Sequence, residues 1–264
     1  MTAKPDFPPT QRIGIFVFEN FEPLDVFGFV EAFSIARFLG TDYASPPPYP
    51  FEIVLIGRTM ANVRSINGPS VVPDWDFDRA LREPLDLLMI PGGGGTFPLL
   101  DDKTNPAAVA ALIKWMRAMD GRVRIMASVC TGAAVLARCG FLDGLPAATN
   151  HSAFALVAGY GPRVLWDSVA RWVDAGKYVS SAGVSAGTDL GFHLVSRLAG
   201  RAVAENAVSA AEYDWHRDPR RQSTTRSKPP SERRRYDNWR LQKRISAAML
   251  ARDARQNRRR QQQA

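Results

Sequence analysis

Four short apolar runs constrain this chain more than any other feature of its sequence. They are Ile13-Gly14-Ile15-Phe16-Val17-Phe18, Phe51-Glu52-Ile53-Val54-Leu55-Ile56, Leu85-Asp86-Leu87-Leu88-Met89-Ile90 and Arg124-Ile125-Met126-Ala127-Ser128-Val129. Each is strand-length, and most lack the polar alternation of a half-exposed sheet, so they read as strands buried on both faces. Between them lie stretches with helical spacing. Pro23 to Leu39 reads as one helix. Pro106 to Met119 reads as a second, with proline at the start where a missing N–H costs little. Thr131 to Arg138 reads as a helix of small residues closed near Gly140. Asn67-Gly68 marks a hairpin-like segment. Tyr178-Val179-Ser180-Ser181 reads as a late strand, followed by a glycine-rich turn and a helix from Asp189 to Leu198. The alternation predicts an α/β domain with a mostly parallel sheet covered by helices.

Charge divides the chain. Residues 216–264 hold sixteen Lys or Arg against four Asp or Glu, while the preceding residues hold eighteen against twenty-two. The overall +8 is therefore a property of the tail, and a solvated charge run explains it more simply than nucleic-acid binding. Residues 217–232 read as a linker, and Tyr236 to Ala251 as a basic amphipathic helix through Trp239, Leu241, Ile245, Met249 and Leu250. Residues 1–11, with three prolines and no apolar h-region, read as a disordered lead-in and not a signal peptide. The organisation expected is a lead-in at 1–11, one domain over 12–215 and a basic extension over 216–264. No run approaches the roughly 20 apolar residues of a membrane span, so a cytoplasmic location with no membrane partner is expected. Cys130 and Cys139 fall inside one predicted helix, roughly 13 Å apart, too far for a disulfide. Neither belongs to a metal-type CxxC pair.

Chemistry concentrates at two junctions. Ala127-Ser128-Val129-Cys130-Thr131-Gly132-Ala133-Ala134 places a cysteine between a buried strand and a helix of small residues. Small side chains permit a sharp turn there, and a helix N-terminus favours a thiolate. This is the cysteine counterpart of a nucleophile elbow, although a buried cysteine can equally serve as a small hydrophobe. Pro91-Gly92-Gly93-Gly94-Gly95 follows a neighbouring strand. Loops at the carboxyl ends of parallel strands are where α/β folds place ligands, and glycines let backbone N–H groups approach developing negative charge. The loop has neither the Lys-Ser/Thr of a P-loop nor the GxGxxG order, which argues against a nucleotide. Asp189 and His193 lie one turn apart, and pairing on a helix face would explain them without chemistry. Trp75, Trp115, Trp166 and Trp172 read as core and interface.

Five segments in order resemble the motifs of the ThiJ/PfpI superfamily of class I glutamine amidotransferase-like proteins. They are Leu88-Met89-Ile90-Pro91-Gly92-Gly93, Ser128-Val129-Cys130-Thr131-Gly132, Leu142-Asp143-Gly144, Ala148-Thr149-Asn150-His151 and the stretch from Ser181 to Asp189. Glu22-Pro23-Leu24-Asp25-Val26-Phe27-Gly28 resembles the Leu-Asp stretch of the isocyanide (isonitrile) hydratase branch, and the resemblance runs from about Ile13 to Trp215. It implies a flavodoxin-like three-layer sandwich, a homodimer, a small-molecule substrate and no metal or organic cofactor. Cys130 matches the nucleophile, and Asp25 the acid facing it from the start of the first helix. Gly93 and Thr131 match positions whose backbone N–H groups form an oxyanion-hole-like pocket. His151, Glu22 and Gly183 are further candidates. Thr131 stands where the protease-like branch has histidine, and Asn150-His151-Ser152 stands where the hydratases have Thr-His-Trp.

The implied reaction is hydration of an isocyanide to an N-substituted formamide. Cys130 attacks the terminal carbon to give a thioimidate, and Asp25 supplies a proton and then positions water. The resemblance also leaves open glyoxalase- or amidase-type cysteine chemistry and the ligand-sensing domain of an AraC-type regulator. Such regulators append two helix-turn-helix units, whereas residues 216–264 contain one candidate helix.

Overall fold

The computed structural model describes residues 7–42 and 44–220. The amphipathic helix expected at 236–251, the linker from 221 on and residues 1–6 of the lead-in lie outside the described residues. In chain order the strands are β1 (Gln11–Phe16), β2 (Phe51–Ile56), β3 (Val63–Arg64), β4 (Ser70–Val71), β5 (Leu87–Ile90), β6 (Ile125–Ser128), β7 (Pro146–Ala148), β8 (Leu165–Asp167), β9 (Trp172–Ala175) and β10 (Tyr178–Ser181). The helices are α1 (Pro23–Ser34), α2 (Phe77–Ala80), α3 (Thr96–Leu99), α4 (Pro106–Asp120), α5 (Ala133–Arg138), α6 (Phe154–Ala158), α7 (Ala186–Ala199) and α8 (Arg201–Ala210).

Six strands form the central sheet in the order β2-β1-β5-β6-β10-β9. All neighbours are parallel except β9, which closes one edge against β10 in antiparallel register. The small pairs β3–β4 and β7–β8 stand apart. Without them the parallel strands run 2-1-3-4-5, the flavodoxin-like order. The expected α/β class is therefore observed. All four residues of β5 and of β6 are buried, which is why those runs carry no polar alternation. On β1 the Phe16 ring packs on Phe77 and Trp115, and those two rings stack 3.8 Å apart. This ties α2 and α4 to the sheet.

Helix α7 packs on both α1 and α8, and small residues set how closely it approaches α1. A Cβ built at Gly191 would lie 2.8 Å from the Ala32 Cβ, and one at Gly28 would lie 2.5 Å from the Thr188 hydroxyl. The crossing of α1 with α7 thereby fixes the first turn of α1, which carries Asp25.

Several boundaries differ from the sequence reading. Helix α1 stops at Ser34, well before Leu39; its last turn tightens as Ala36 N bonds Phe33 O, and the Arg37 guanidinium takes the carbonyls of Ser34 and Ala36 at 2.8 and 2.9 Å. The helix expected from Thr131 is a 3₁₀ turn, Cys130–Gly132, followed by the six residues of α5. Helix α8 escaped the periodicity argument because its buried face is Val203, Ala204 and Ala207, too small to give a strong apolar signal. Asp189 and His193 do not pair with each other: Asp189 meets Arg171, and His193 meets Asp174 at 2.8 Å. Trp75, Trp115 and Trp172 are buried in the core and Trp166 packs against it. Past Trp215, Arg171 N donates to Pro219 O at 2.7 Å. Among the described residues no helix is long and apolar enough to cross a membrane.

Replacing Gly191 by Val tests the α1–α7 crossing. The added carbons overlap a Cβ anchored on a neighbouring backbone, so the variant should lose about 1–3 kcal/mol of stability, measured as a lower urea midpoint with an unchanged slope.

Candidate active site

The strand order reverses between β1 and β5, where successive connections leave in opposite directions and open a crevice beyond the strand ends. Three loops meet there, those after β1, β5 and β6. Gly92 N donates to Asp25 Oδ2 at 2.7 Å, and Glu22 N donates to Gly92 O at 2.8 Å. Gly93 N donates to Thr131 Oγ1 at 3.0 Å, and the hydroxyls of Thr131 and Thr96 are 2.9 Å apart. The glycines are required by this crowding. A Cβ at Gly92 would lie 2.6 Å from Thr131 N and 2.9 Å from the Cys130 Cβ, and one at Gly132 would overlap Ile90 O. Gly93, at φ +126°, has a backbone that other residues rarely adopt.

Cys130 itself has φ +58°, a left-handed conformation that costs an L-residue roughly 1–2 kcal/mol. Its own N–H donates to Ala182 O at 2.9 Å, its carbonyl accepts from Thr149 Oγ1 at 2.9 Å, and Val129 N donates to Ile90 O at 3.0 Å. Ala182 is held in turn, since its N–H donates to Arg171 O at 2.8 Å. Arg171 pairs with the fully buried Asp189 at 2.5 Å. Asp189 also accepts from the Tyr213 hydroxyl at 3.1 Å and from His216 N at 2.9 Å. The segment after α8 is thus latched to the turn that holds the cysteine backbone.

Burial governs the electrostatics. It pushes the Asp25 carboxyl up to about 8, with the Glu22 charge adding to the rise and the Gly92 N–H and Cys130 thiol opposing it. Oδ1 of Asp25 finds no N–H or O–H donor among the described residues. Burial likewise pushes the Cys130 thiol up to about 12, helped by the charges of Asp25 and Glu22. The Thr131 N–H and the Asn150 amide oppose that rise without overcoming it. The thiolate expected from a helix N-terminus is therefore not the resting state. The six-residue α5 is short and the cysteine is screened from water, so the cost of desolvating an anion prevails. Near neutral pH the pair is a neutral acid beside a neutral thiol. Cys139 is also a free, buried thiol raised to about 12, and what distinguishes Cys130 is the adjoining carboxyl.

The fold brings together Cys130, Asp25, Gly93 and Thr131, with Glu22 at the N-cap of α1. The N–H groups of Gly92 and Gly93 are engaged by Asp25 and the Thr131 hydroxyl, and the one aimed at the sulfur belongs to Thr131. Gly183 borders the site through Asn150, whose Nδ2 is 3.3 Å from where a Gly183 Cβ would sit. His151 is exposed, and its ring nitrogen lies 3.3 Å from Ala170 O, directed at the backbone and not at the thiol. Residue-type reasoning missed Thr149 and Asn150. The signal for Asn150 was its departure from the hydratase-like Thr-His-Trp string. Among the described residues no three His, Cys, Asp or Glu side chains gather as a metal site.

A left-handed cysteine at a strand-to-helix junction, faced by a buried carboxyl at the switch point of a 2-1-3-4-5 sheet, defines an α/β protein of the cysteine-elbow class. The chain belongs to the DJ-1/PfpI family, whose model matches residues 11–197. It is 27% identical over 202 residues to the isonitrile hydratase of Pseudomonas putida, covering 76% of this chain and 78% of that one. It is 26% identical over 208 residues to the HTH-type transcriptional regulator GbdR of Pseudomonas aeruginosa, covering 77% of this chain but 52% of the regulator. A crystal structure of a ThiJ/PfpI family protein from Pseudomonas syringae superposes with a TM-score of 0.68 at 25% identity, covering 92% of this chain and 94% of that one.

The raised Asp25 makes a signed prediction. Below pH 3.8 the carboxyl is protonated in both folded and unfolded chains; between 3.8 and about 8 the unfolded chain loses the proton and the folded one keeps it. The group's contribution to stability therefore falls as pH rises through that window and levels off above it. Asp25→Asn should gain stability relative to the parent progressively from pH 4 to 8, read from urea midpoints at each pH. A difference that does not change with pH would mean that Asp25 ionises normally.

Proposed function

We propose that this protein hydrates organic isocyanides to N-substituted formamides, with Cys130 as nucleophile and Asp25 as proton donor. The observation that carries this reading is the fully buried Asp25 carboxyl set beside the buried Cys130 thiol at one loop junction, where burial favours the protonated form of both. The terminal carbon of an isocyanide must gain both a nucleophile and a proton. Cys130 sulfur forms the S–C bond while the Asp25 hydroxyl gives its proton to the same carbon, and the thiol proton passes to the carboxyl oxygen left bare. The product is a thioimidate, S–CH=N–R, with Asp25 again protonated. Water then adds across C=N, its oxygen bonding carbon and a proton reaching nitrogen through Asp25. Collapse breaks the C–S bond, returns a proton to sulfur and releases R–NH–CHO. Every atom of the product comes from the isocyanide and water. The likeness to the isonitrile hydratase supports the reading.

The likeness to a transcriptional regulator over about half of its length favours a second reading, a ligand-sensing domain that binds without turnover. Incubating the protein with a panel of isocyanides, and with glyoxals and amides as comparison substrates, should yield formamide by mass spectrometry. Cys130→Ala should abolish it and Cys139→Ala should keep it. Asp25→Asn should lower the rate by on the order of 10²- to 10⁴-fold, and parent turnover should fall as pH rises past about 8, where Asp25 loses its proton. Saturable binding of isocyanides with no product at any pH would favour the sensor.

A further inference from the structure

We propose that Asn150 is a catalytic residue whose amide N–H group holds the Cys130 sulfur and stabilises negative charge as it develops there. This rests on Cys130 being the nucleophile and is independent of which substrate it attacks. The orientation of the amide is fixed by hydrogen bonds on its other side. Asn150 Oδ1 accepts from Ser152 N at 2.9 Å and from Ala153 N at 3.0 Å, capping the turn that leads into α6. With Oδ1 engaged, Nδ2 must point the other way, toward Gly183 and the Cys130 side of the crevice, where it acts on the thiol. Gly183 makes room, since a Cβ there would crowd Nδ2 at 3.3 Å. The preceding residue, Thr149, grips the Cys130 carbonyl at 2.9 Å, so two consecutive side chains brace the cysteine from one strand end.

The chemistry requires such a donor. Sulfur gains negative charge on losing its proton and again when the C–S bond breaks. Its surroundings are hostile to that charge, being buried and faced by Asp25 and Glu22. Two groups oppose them, the Thr131 N–H and the Asn150 amide. A hydrogen bond to an ionised partner is worth about 1.5–3 kcal/mol, on the order of ten- to hundred-fold in an equilibrium or rate that depends on the anion.

Two substitutions separate this role from simple capping. Asn150→Asp keeps an oxygen for the Ser152 and Ala153 N–H groups and loses the N–H facing sulfur. Asn150→Ser keeps a short capping hydroxyl, loses the same donor and adds no charge. In a Cys139→Ala background, alkylation of Cys130 by iodoacetamide at fixed pH, followed by mass spectrometry, reports thiolate access without any substrate. Both variants should be alkylated on the order of ten- to hundred-fold more slowly than the parent, with urea midpoints close to it, and kcat should fall more than KM rises. A serine variant alkylated at the parent rate would overturn the proposal, as would slowing that merely tracks a lowered midpoint. If alkylation slows as expected but no isocyanide is turned over, the donor role stands and the hydratase reading fails.

Discussion

The left-handed backbone of Cys130 is the constraint on which the site depends. Cysteine gains nothing from φ +58°, so the surrounding contacts must hold it there, and their arrangement accounts for much of the local sequence. Ile90, at the end of β5, holds the chain just before the turn, Ala182 takes the cysteine N–H, and Thr149 takes its carbonyl. Each contact comes from a different element, and each element is secured by its own packing. Gly132 is obligatory because the turn presses on the Ile90 and Pro91 carbonyls. The ion pair of Arg171 with Asp189, distant in chemistry from the thiol, matters because it steadies the turn that carries Ala182.

Desolvation then decides the chemistry. A short helix and two N–H donors favour the thiolate, while burial opposes it, as does the charge of Glu22 and, once ionised, that of Asp25, and burial is the largest influence on both Cys130 and Asp25. In an exposed elbow the balance would tip toward a preformed thiolate, the expected design when a nucleophile must attack an already electrophilic carbon. Here the same burial that silences the thiol raises the carboxyl into the range where it serves as an acid near neutral pH. In the proposed reaction nucleophile and acid are poised together, and charge is called up only as bonds form. The arrangement suits an acceptor atom that must be protonated where it is attacked.

Much of this was legible in the residues. Apolar runs without alternation located the buried strands, and the strand order follows from the usual way parallel α/β units wind. Cys130 and the glycine loop could be chosen because small residues at strand ends have few structural uses that demand their pattern, whereas Asp25 was marked only by the resemblance to the ThiJ/PfpI motifs. The ionisation state was not legible, because it depends on how completely the crevice excludes water, and no local sequence pattern encodes that. The partners of Asp189 were hidden for a related reason. Helical spacing suggested His193, whereas the fold delivers Arg171 and Tyr213 from elsewhere in the chain. Asn150 was visible as an oddity, but the placing of its amide depends on Gly183, more than thirty positions away.

The distribution of unfavourable features argues that the crevice does more than hold a ligand. A scaffold selected for stability alone would avoid a non-glycine residue at positive φ, a fully buried carboxyl with one oxygen lacking an N–H or O–H partner, and a second carboxylate nearby. Positive φ occurs at a few other non-glycine residues, but only at this junction of loops does it coincide with such a half-partnered, fully buried carboxyl and a second carboxylate among the described residues. An apolar or amide side chain at position 25 would satisfy the Gly92 N–H or fill the space without the cost of an ionisable group. The carboxyl gives what neither substitute can, a proton that leaves and returns. A binding pocket has no need of such a proton and a catalyst of acid-assisted addition does, so the position of these liabilities weighs toward turnover.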